Sequence, residues 1–253
     1  MAEEASKFPT EMIDLPSKGL LYPKESPLSS GKIEIKYMTA KEEDILTSQN
    51  LIKKGLVMDK LLSALIVNKD ISIDDLITGD KNAVMVAARI LAYGPEYTVE
   101  LTNQYTDEKF EHTFNLTDCP FKETPSDIDY SSGKFECELP VSKAKLEFKL
   151  LTGKEEKVID REIKARKKVG AESPEVTTRL KHTIVSVNGD DTQAAINNFV
   201  DNQLLSRDSL YLRTHIQEFA PDIDLTEEVD MEGAMVKVNI PLTIEFFWPK
   251  ASR

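Results

Sequence analysis

Between Thr39 and Gly94-Pro95 the chain carries a nearly complete set of helix start and stop signals, which leaves little freedom in how its first hundred residues fold. Thr39 stands three residues before Glu42. Its hydroxyl can accept from the Glu42 N–H while the Glu42 carboxylate reaches back to the Thr39 N–H, a reciprocal arrangement that opens a helix. A helix over about 40–53 follows, with Gly55 placed to take the left-handed conformation that ends one. Leu61, Leu62, Leu65 and Ile66 give a second helix, over 56–67, one apolar face. Asp74 to Ile77 reads as a short helical turn. Asp80 is the expected cap of a third helix over 81–93, burying Val84, Ala87, Ala88 and Leu91 and stopping at Gly94-Pro95.

Upstream, residues 1–14 read as a flexible arm. Residues 15–32 hold three prolines, two glycines and several serines, which predicts an extended, turn-rich segment. Pro16 and Pro23 push Leu15 and Tyr22 toward extended geometry. Leu20, Leu21, Tyr22 and Leu28 are apolar groups without regular structure, so this segment must lie against its own domain or against a neighbour. Residues 32–37 alternate strictly and read as a half-buried strand.

Downstream, 97–101 and 110–114 alternate around a polar stretch and predict a hairpin. Phe135, Cys137 and Leu139 mark one face of a further strand, and Leu146, Phe148 and Leu150 mark its partner. The two hairpins are candidates for a single small sheet. A long loop is expected over 117–133. Residues 154–168 predict a highly charged helix with Val158, Ile159 and Ile163 as a thin apolar stripe, suited to packing on one side or to seeking a partner. Ser173-Pro174 reads as a cap followed by proline at the start of a helix reaching about 184. Asn188-Gly189 signals a tight turn. Helices are expected over 192–204 and 208–219, the second with Leu212, Ile216 and Phe219 on one face. Ala234 to Trp248 closes the chain as a strand pair or bent strand, with Pro241 confining part of it to an edge or bulge.

These signals predict an α+β protein. An extended arm (1–31) leads into a mainly helical region with a short strand (32–95). A small antiparallel sheet of hairpins (96–152) follows, then helices closed by a β hairpin (153–253). No repeat of solenoid period is apparent.

The chain has 253 residues and a formal net charge of −12, which disfavours nucleic acid as a partner because phosphate binding needs clustered Lys and Arg. No stretch approaches ~18 uninterrupted apolar residues, so no membrane span is expected. The acidic start Met1 to Ala5 lacks the apolar core of a secretory leader. Charge is uneven. Between Lys143 and Lys168 ten basic residues stand against five acidic ones, while Glu218 to Glu232 holds seven acidic residues and no Lys or Arg. The runs are either two solvated faces or complementary docking surfaces, the latter making self-association or partner binding salt-sensitive.

Tests for chemistry fail one after another. His112, His182 and His215 are isolated, and two lone cysteines make neither a zinc set nor a disulfide framework. The face that holds Cys137 points to a core thiol. Asp70-x-Ser72-x-Asp74 has Asp75 where a calcium loop needs glycine and Lys81 at its twelfth position. Gly133-Lys134 and Gly153-Lys154 lack the rest of a phosphate loop, and no GxGxxG, GxSxG or HExxH occurs. Neither a metal nor a cofactor is expected, and no catalytic residue stands out. Phe246-Phe247-Trp248-Pro249 is a compact apolar cluster with the only Trp, suited either to the core or to an interface.

Several blocks resemble one family. Leu15-Pro16-Ser17-Lys18-Gly19 with Tyr22-Pro23, Gly31 to Ile35, Met38 to Leu46, and Gly79-Asp80 with Arg89-Ile90 and Tyr93-Gly94 resemble the base plate hub and tail-assembly proteins of contractile-tailed, T-even-like bacteriophages. Asp208, Leu212-Arg213, Pro221-Asp222, Pro241-Leu242 and Phe246 to Pro249 resemble the family's closing pattern. Some relatives carry a cysteine pair in the hairpin matching 97–114. Here the turn reads Asn103-Gln104-Tyr105-Thr106-Asp107-Glu108, so no zinc ribbon is expected.

The resemblance implies a structural or assembly component of the tail base plate hub that works through protein contacts. Its alternatives are an assembly factor that binds the tape-measure protein or hub and then leaves, and a hydrolase with scattered carboxylates. Other tail and hub proteins would be the partners. The host cytoplasm would be the site of assembly, and the virion tail the destination of a structural component. Leu15, Leu20, Leu21, Tyr22, Phe247 and Trp248 are the candidate contact residues.

Overall fold

The computed structural model describes residues 9–125, 128–168, 174–242 and 244–248. The expected cap at Ser173 lies outside them, as does Pro249. The fold is α+β, with eight α-helices and several small antiparallel sheets among the described residues.

The first strand, β1 (Thr10–Asp14), pairs antiparallel with β2 (Lys32–Lys36), Ile13 opposite Ile33. The intervening segment turns back through a 3-10 turn at Pro27–Ser30 and ends at Gly31, whose φ of 70° favours glycine. Leu15 and Leu28 are buried in the same core as Ile33 and Ile35. Residues 10–31 are therefore folded onto their own chain. Thr10–Asp14, expected to belong to a flexible arm, is instead ordered by pairing with β2. For 15–32 the sequence left the choice open because alternating burial does not show in a segment of prolines and serines.

Helices α1 (Ala40–Thr47), α2 (Gln49–Lys54), α3 (Val57–Leu65) and α4 (Thr78–Tyr93) follow. The capping box at Thr39 forms: the Glu42 carboxylate accepts from the Thr39 N–H at 3.0 Å and from its hydroxyl at 2.6 Å. Lys36 Nζ joins it at 2.7 Å. Burial alone would raise the Glu42 carboxyl, but the bonds from Lys36 and Thr39 win and hold it at about 2. A depressed carboxyl stabilises the fold above its unfolded value and loses that contribution as pH falls through the folded one. The stability advantage over Glu42→Gln is thus expected in full above pH 4.5 and to fade toward pH 2, read from urea midpoints across that range.

The single helix expected over 40–53 is two, because Ser48 is extended and Thr47 turns its hydroxyl onto the Glu43 and Asp44 carbonyls. Helix α4 starts at Thr78, earlier than expected, because Asp80 lies inside its first turn and is occupied elsewhere. The hairpin β3 (Glu96–Thr102) and β4 (Lys109–Asn115) forms as read from its alternation.

Strands β5 (Phe135–Glu138) and β6 (Lys145–Phe148) do not join that hairpin. They form a three-stranded sheet with β7 (Ile184–Val187), in the order β5-β6-β7. Helix α5 (Gly153–Lys168) precedes α6 (Glu175–Thr183), and β7 follows α6 without a turn. Helices α7 (Gln193–Asn202) and α8 (Ser206–Phe219) complete a second core, around Phe135, Phe148, Leu180, Phe199 and Leu212. The closing hairpin is β8 (Thr226–Met231) and β9 (Ala234–Asn239). It lies earlier than expected, since Pro241 cannot donate to a ladder, and Ile244–Phe247 is a 3-10 turn. Val229, Ile240, Phe246 and Phe247 return to the first core.

The two halves repeat one plan. Residues 32–46 and 145–159 align without a gap, with identity at Lys32/Lys145, Glu34/Glu147, Lys36/Lys149, Thr39/Thr152, Lys41/Lys154, Glu42/Glu155 and Glu43/Glu156. Thr152, Glu155 and Lys149 rebuild the Thr39, Glu42 and Lys36 cluster bond for bond. Ahead of each block runs a strand and a Leu-Pro turn, Leu15-Pro16-Ser17-Lys18 and Leu139-Pro140-Val141-Ser142-Lys143, with Lys18 and Lys143 both at positive φ. After each block, a later residue returns to the second strand: Ile66 bridges Ile35, and β7 pairs with β6. Each half then ends in a long helix, a proline two residues beyond it and a β-hairpin.

Candidate interaction surface

The repeated plan places a buried aspartate at the same point in each half, in the third position of α4 and of α8. Asp80 accepts from the Ser17 N–H at 2.9 Å, the Ser17 hydroxyl at 2.6 Å and the Tyr22 hydroxyl at 2.5 Å. The Tyr22 oxygen in turn accepts from the Ile77 N–H at 3.1 Å. Burial pushes the Asp80 carboxyl above its ordinary range, with Ser17 and Tyr22 as donors acting against it. Burial, then the Asp80 charge, raises the Tyr22 phenol. In the second half Asp208 accepts from the Val141 and Ser142 N–H groups at 2.8 and 2.9 Å. Burial opposes ionisation there too, but the bonds from Ser142 and Val141 hold the carboxyl down.

Asp80 thus fixes the Leu15 to Tyr22 segment across the molecule. Leu15 is sealed in the first core, Leu21 packs on the second, and Leu20 between them is 53% exposed. Tyr22 is half-buried and committed to Asp80. The first turn of α4 also lies on Pro221. A Cβ on Gly79 would stand 1.8 Å from the Pro221 carbonyl oxygen, so only glycine allows the approach.

At the other end, Phe246 and Phe247 are fully buried while Trp248 is 52% exposed. A period-two strand would have set Phe246 and Trp248 on one face, and the 3-10 turn removes that pairing. Arg89 secures this end. Its guanidinium is buried, has no carboxylate partner among the described residues, and donates to the carbonyls of Phe246, Gly94 and Glu96 at 2.8, 2.9 and 3.0 Å. Of the six candidate contact residues, Leu15 and Phe247 belong to the core, Leu21 and Tyr22 are partly covered, and Leu20 and Trp248 face outward.

Many residues of the two charge runs are spent within the chain. Lys157 pairs with Asp59 and Asp74, Lys154 with Asp75, Lys149 with Glu155 and Lys167 with Glu175. Glu227 meets His112, and Asp222 accepts from Asn82. The Lys157 and Lys154 pairs fasten α5 to the first half. Burial raises both thiols, Cys137 to about 11, so each is protonated at neutral pH and a poor nucleophile. Among the described residues no group of three His, Cys, Asp or Glu is placed to hold a metal, and no helix is long and apolar enough to cross a membrane.

Two folded halves pinned by buried aspartates leave apolar groups outward at Leu20 and Trp248, among other exposed apolar residues. The sequence profile of the family described as T4 bacteriophage base plate protein matches residues 21–202, well over half the chain, and the chain belongs to that family. No curated protein and no solved structure matches it. The family points to a structural or assembly role in the phage base plate, among other base plate proteins of the virion tail. The matched stretch begins just after Leu20, so the Leu15 to Gly19 block lies outside it.

The sequence reading missed the Asp80 and Asp208 anchors and Arg89. Both aspartates stand in the blocks that resemble the family, and a second signal was present: Leu76-Ile77-Thr78-Gly79-Asp80 and Leu204-Leu205-Ser206-Arg207-Asp208 share an apolar-apolar-hydroxyl-x-Asp pattern. For Arg89, whose partners are backbone carbonyls, the sequence offered only its place in the Arg89-Ile90 block that resembles the family.

Proposed function

We propose that the chain is a component of the base plate hub that acts through protein contacts alone, without catalysis. The family match carries this reading. The outward placement of Leu20 and Trp248, on segments that Asp80 and Arg89 anchor at Ser17, Tyr22 and Phe246, supports it, because a preorganised apolar anchor binds at lower entropic cost. Its partners in this reading are other tail and base plate hub proteins, with the tape-measure protein as a further candidate.

The test is mass spectrometry of purified tails together with a double variant, Leu20→Asp with Trp248→Asp. The chain is expected in mature tails. The variant is expected to fold normally, since both side chains are more than half exposed, yet to enter tails at least about tenfold less well, the effect of losing even one moderate anchor. Absence of the wild-type chain from mature tails would establish a departing assembly factor instead. Normal incorporation of the variant would remove these two residues from the interface.

A further inference from the structure

The repeated plan lets the two halves be compared position by position. Asp80 and Asp208 set the register of the long helices, and Ile66 and Ile184, returning to the second strands, set that of the helices before them. In this register Val84 matches Leu212 and Leu62 matches Leu180, all four buried. Several positions differ in kind: buried Val57 and Val86 are replaced by exposed Glu175 and Thr214, and two replacements bring in arginine. Leu61 and Met85, both buried where α3 meets α4, are replaced by Arg179 and Arg213, both exposed. Where the first half closes, the second opens: α6 and α8 form walls of a groove of about 600 Å³, with α5 along it.

We propose that this groove is a docking site for an acidic segment, carrying large apolar anchors, of another base plate protein. The proposal rests on the base plate reading above. Five cations, Lys149, Lys164, Lys167, Arg179 and Arg213, and three carboxylates, Glu156, Asp160 and Glu175, line the groove beside the apolar side chains of Val176 and Ile216, and Lys149 and Lys167 are paired with Glu155 and Glu175. Arg179 is paired with Glu156, but among the described residues Lys164 and Arg213 have no carboxylate partner. The groove also holds acidic residues, yet its basic side chains outnumber them on a chain of net charge −12. Unpaired cations between apolar patches fit a ligand of opposite charge with side chains to bury. The first half shows what such a helix face can hold: Arg89 of α4 grips the Phe246 carbonyl and the two buried phenylalanines lie on that core. Gln217, the matching residue of α8, lines the groove and keeps amide donors for a backbone carbonyl.

The experiment places a photo-crosslinking amino acid at Val176 of the full chain during infection. Captured peptides are sequenced from whole cells, and isolated base plates are assayed separately for the chain. The expected adduct is an acidic, apolar-anchored segment of a different base plate protein. Its yield should fall about tenfold in Lys164→Glu with Arg213→Glu, with unchanged melting of the purified variant. No adduct, an adduct to a second copy of this chain, a non-acidic segment, or a yield indifferent to the charge reversals each overturns the proposal. Absence of the chain from base plates instead overturns the hub reading, so the two failures are separable.

Discussion

Asp80→Ala is expected to lower the unfolding free energy by about 3 kcal/mol, the scale for removing a charged acceptor from buried donors, and to drop the melting temperature by roughly 8 °C for a chain of this size. Alanine leaves the Ser17 N–H and hydroxyl without their acceptor in a dry site and frees the Tyr22 hydroxyl. The loss reaches beyond the site. With Ser17 and Tyr22 released, the segment that seats Leu15 in one core and lays Leu21 on the other loses its fixed point. Asp80→Asn should cost about half as much, because the amide keeps one acceptor oxygen and removes a buried charge. Asp208→Ala should also cost less, since its two backbone donors belong to exposed residues, Val141 and Ser142, that water can reach. Urea denaturation of the three variants gives the order. Asp80→Ala within about 0.5 kcal/mol of wild type, the scatter of ordinary surface changes, would show that the carboxylate does not anchor the segment.

What could be read in the sequence was local. The Thr39 box, the αL glycine at Gly55, the Gly94-Pro95 stop and the alternation of β3 and β4 each concern a few adjacent residues whose chemistry is complete in itself. The failures share a non-local cause. Asp80 resembles a helix cap, and only the arrival of Ser17 and Tyr22 shows that its carboxylate points elsewhere. Strand β7 follows α6 without punctuation, and pairing with β6 decides its conformation. The repeated plan hides because its offset drifts. Thr39 and Thr152 are 113 residues apart, Ile66 and Ile184 are 118 apart, and Asp80 and Asp208 are 128 apart. Helix α7 stands where the first half has only a 3-10 turn at Ile73–Asp75, which accounts for part of the drift. The candidate surface was legible in composition but not in orientation. Of two apolar residues in sequence, Leu20 and Leu21, nothing in the chain says which one turns outward.

Phe246→Ala is expected to cost about 4 kcal/mol, the scale for truncating a buried aromatic that its surroundings cannot replace. Phe246 has no exposed surface. Its ring stands edge-on to Tyr97 at 4.9 Å and to Phe247 at 5.4 Å, near-perpendicular contacts that add to the burial itself. The Arg89 guanidinium makes the loss harder to absorb. It holds the Phe246 carbonyl together with those of Gly94 and Glu96, so the 3-10 turn cannot slide inward to fill the space without breaking a charge-assisted bond. Trp248, two residues on and half exposed, should cost under about 1 kcal/mol on replacement by alanine, since it leaves little cavity behind. The contrast is the test. Urea melts should separate the two variants by several kcal/mol, and the Trp248→Ala protein should keep the wild-type fold while binding less well to base plates. Equal destabilisation by both would mean that Trp248 is packed with its neighbours and is not a group left outward for a partner.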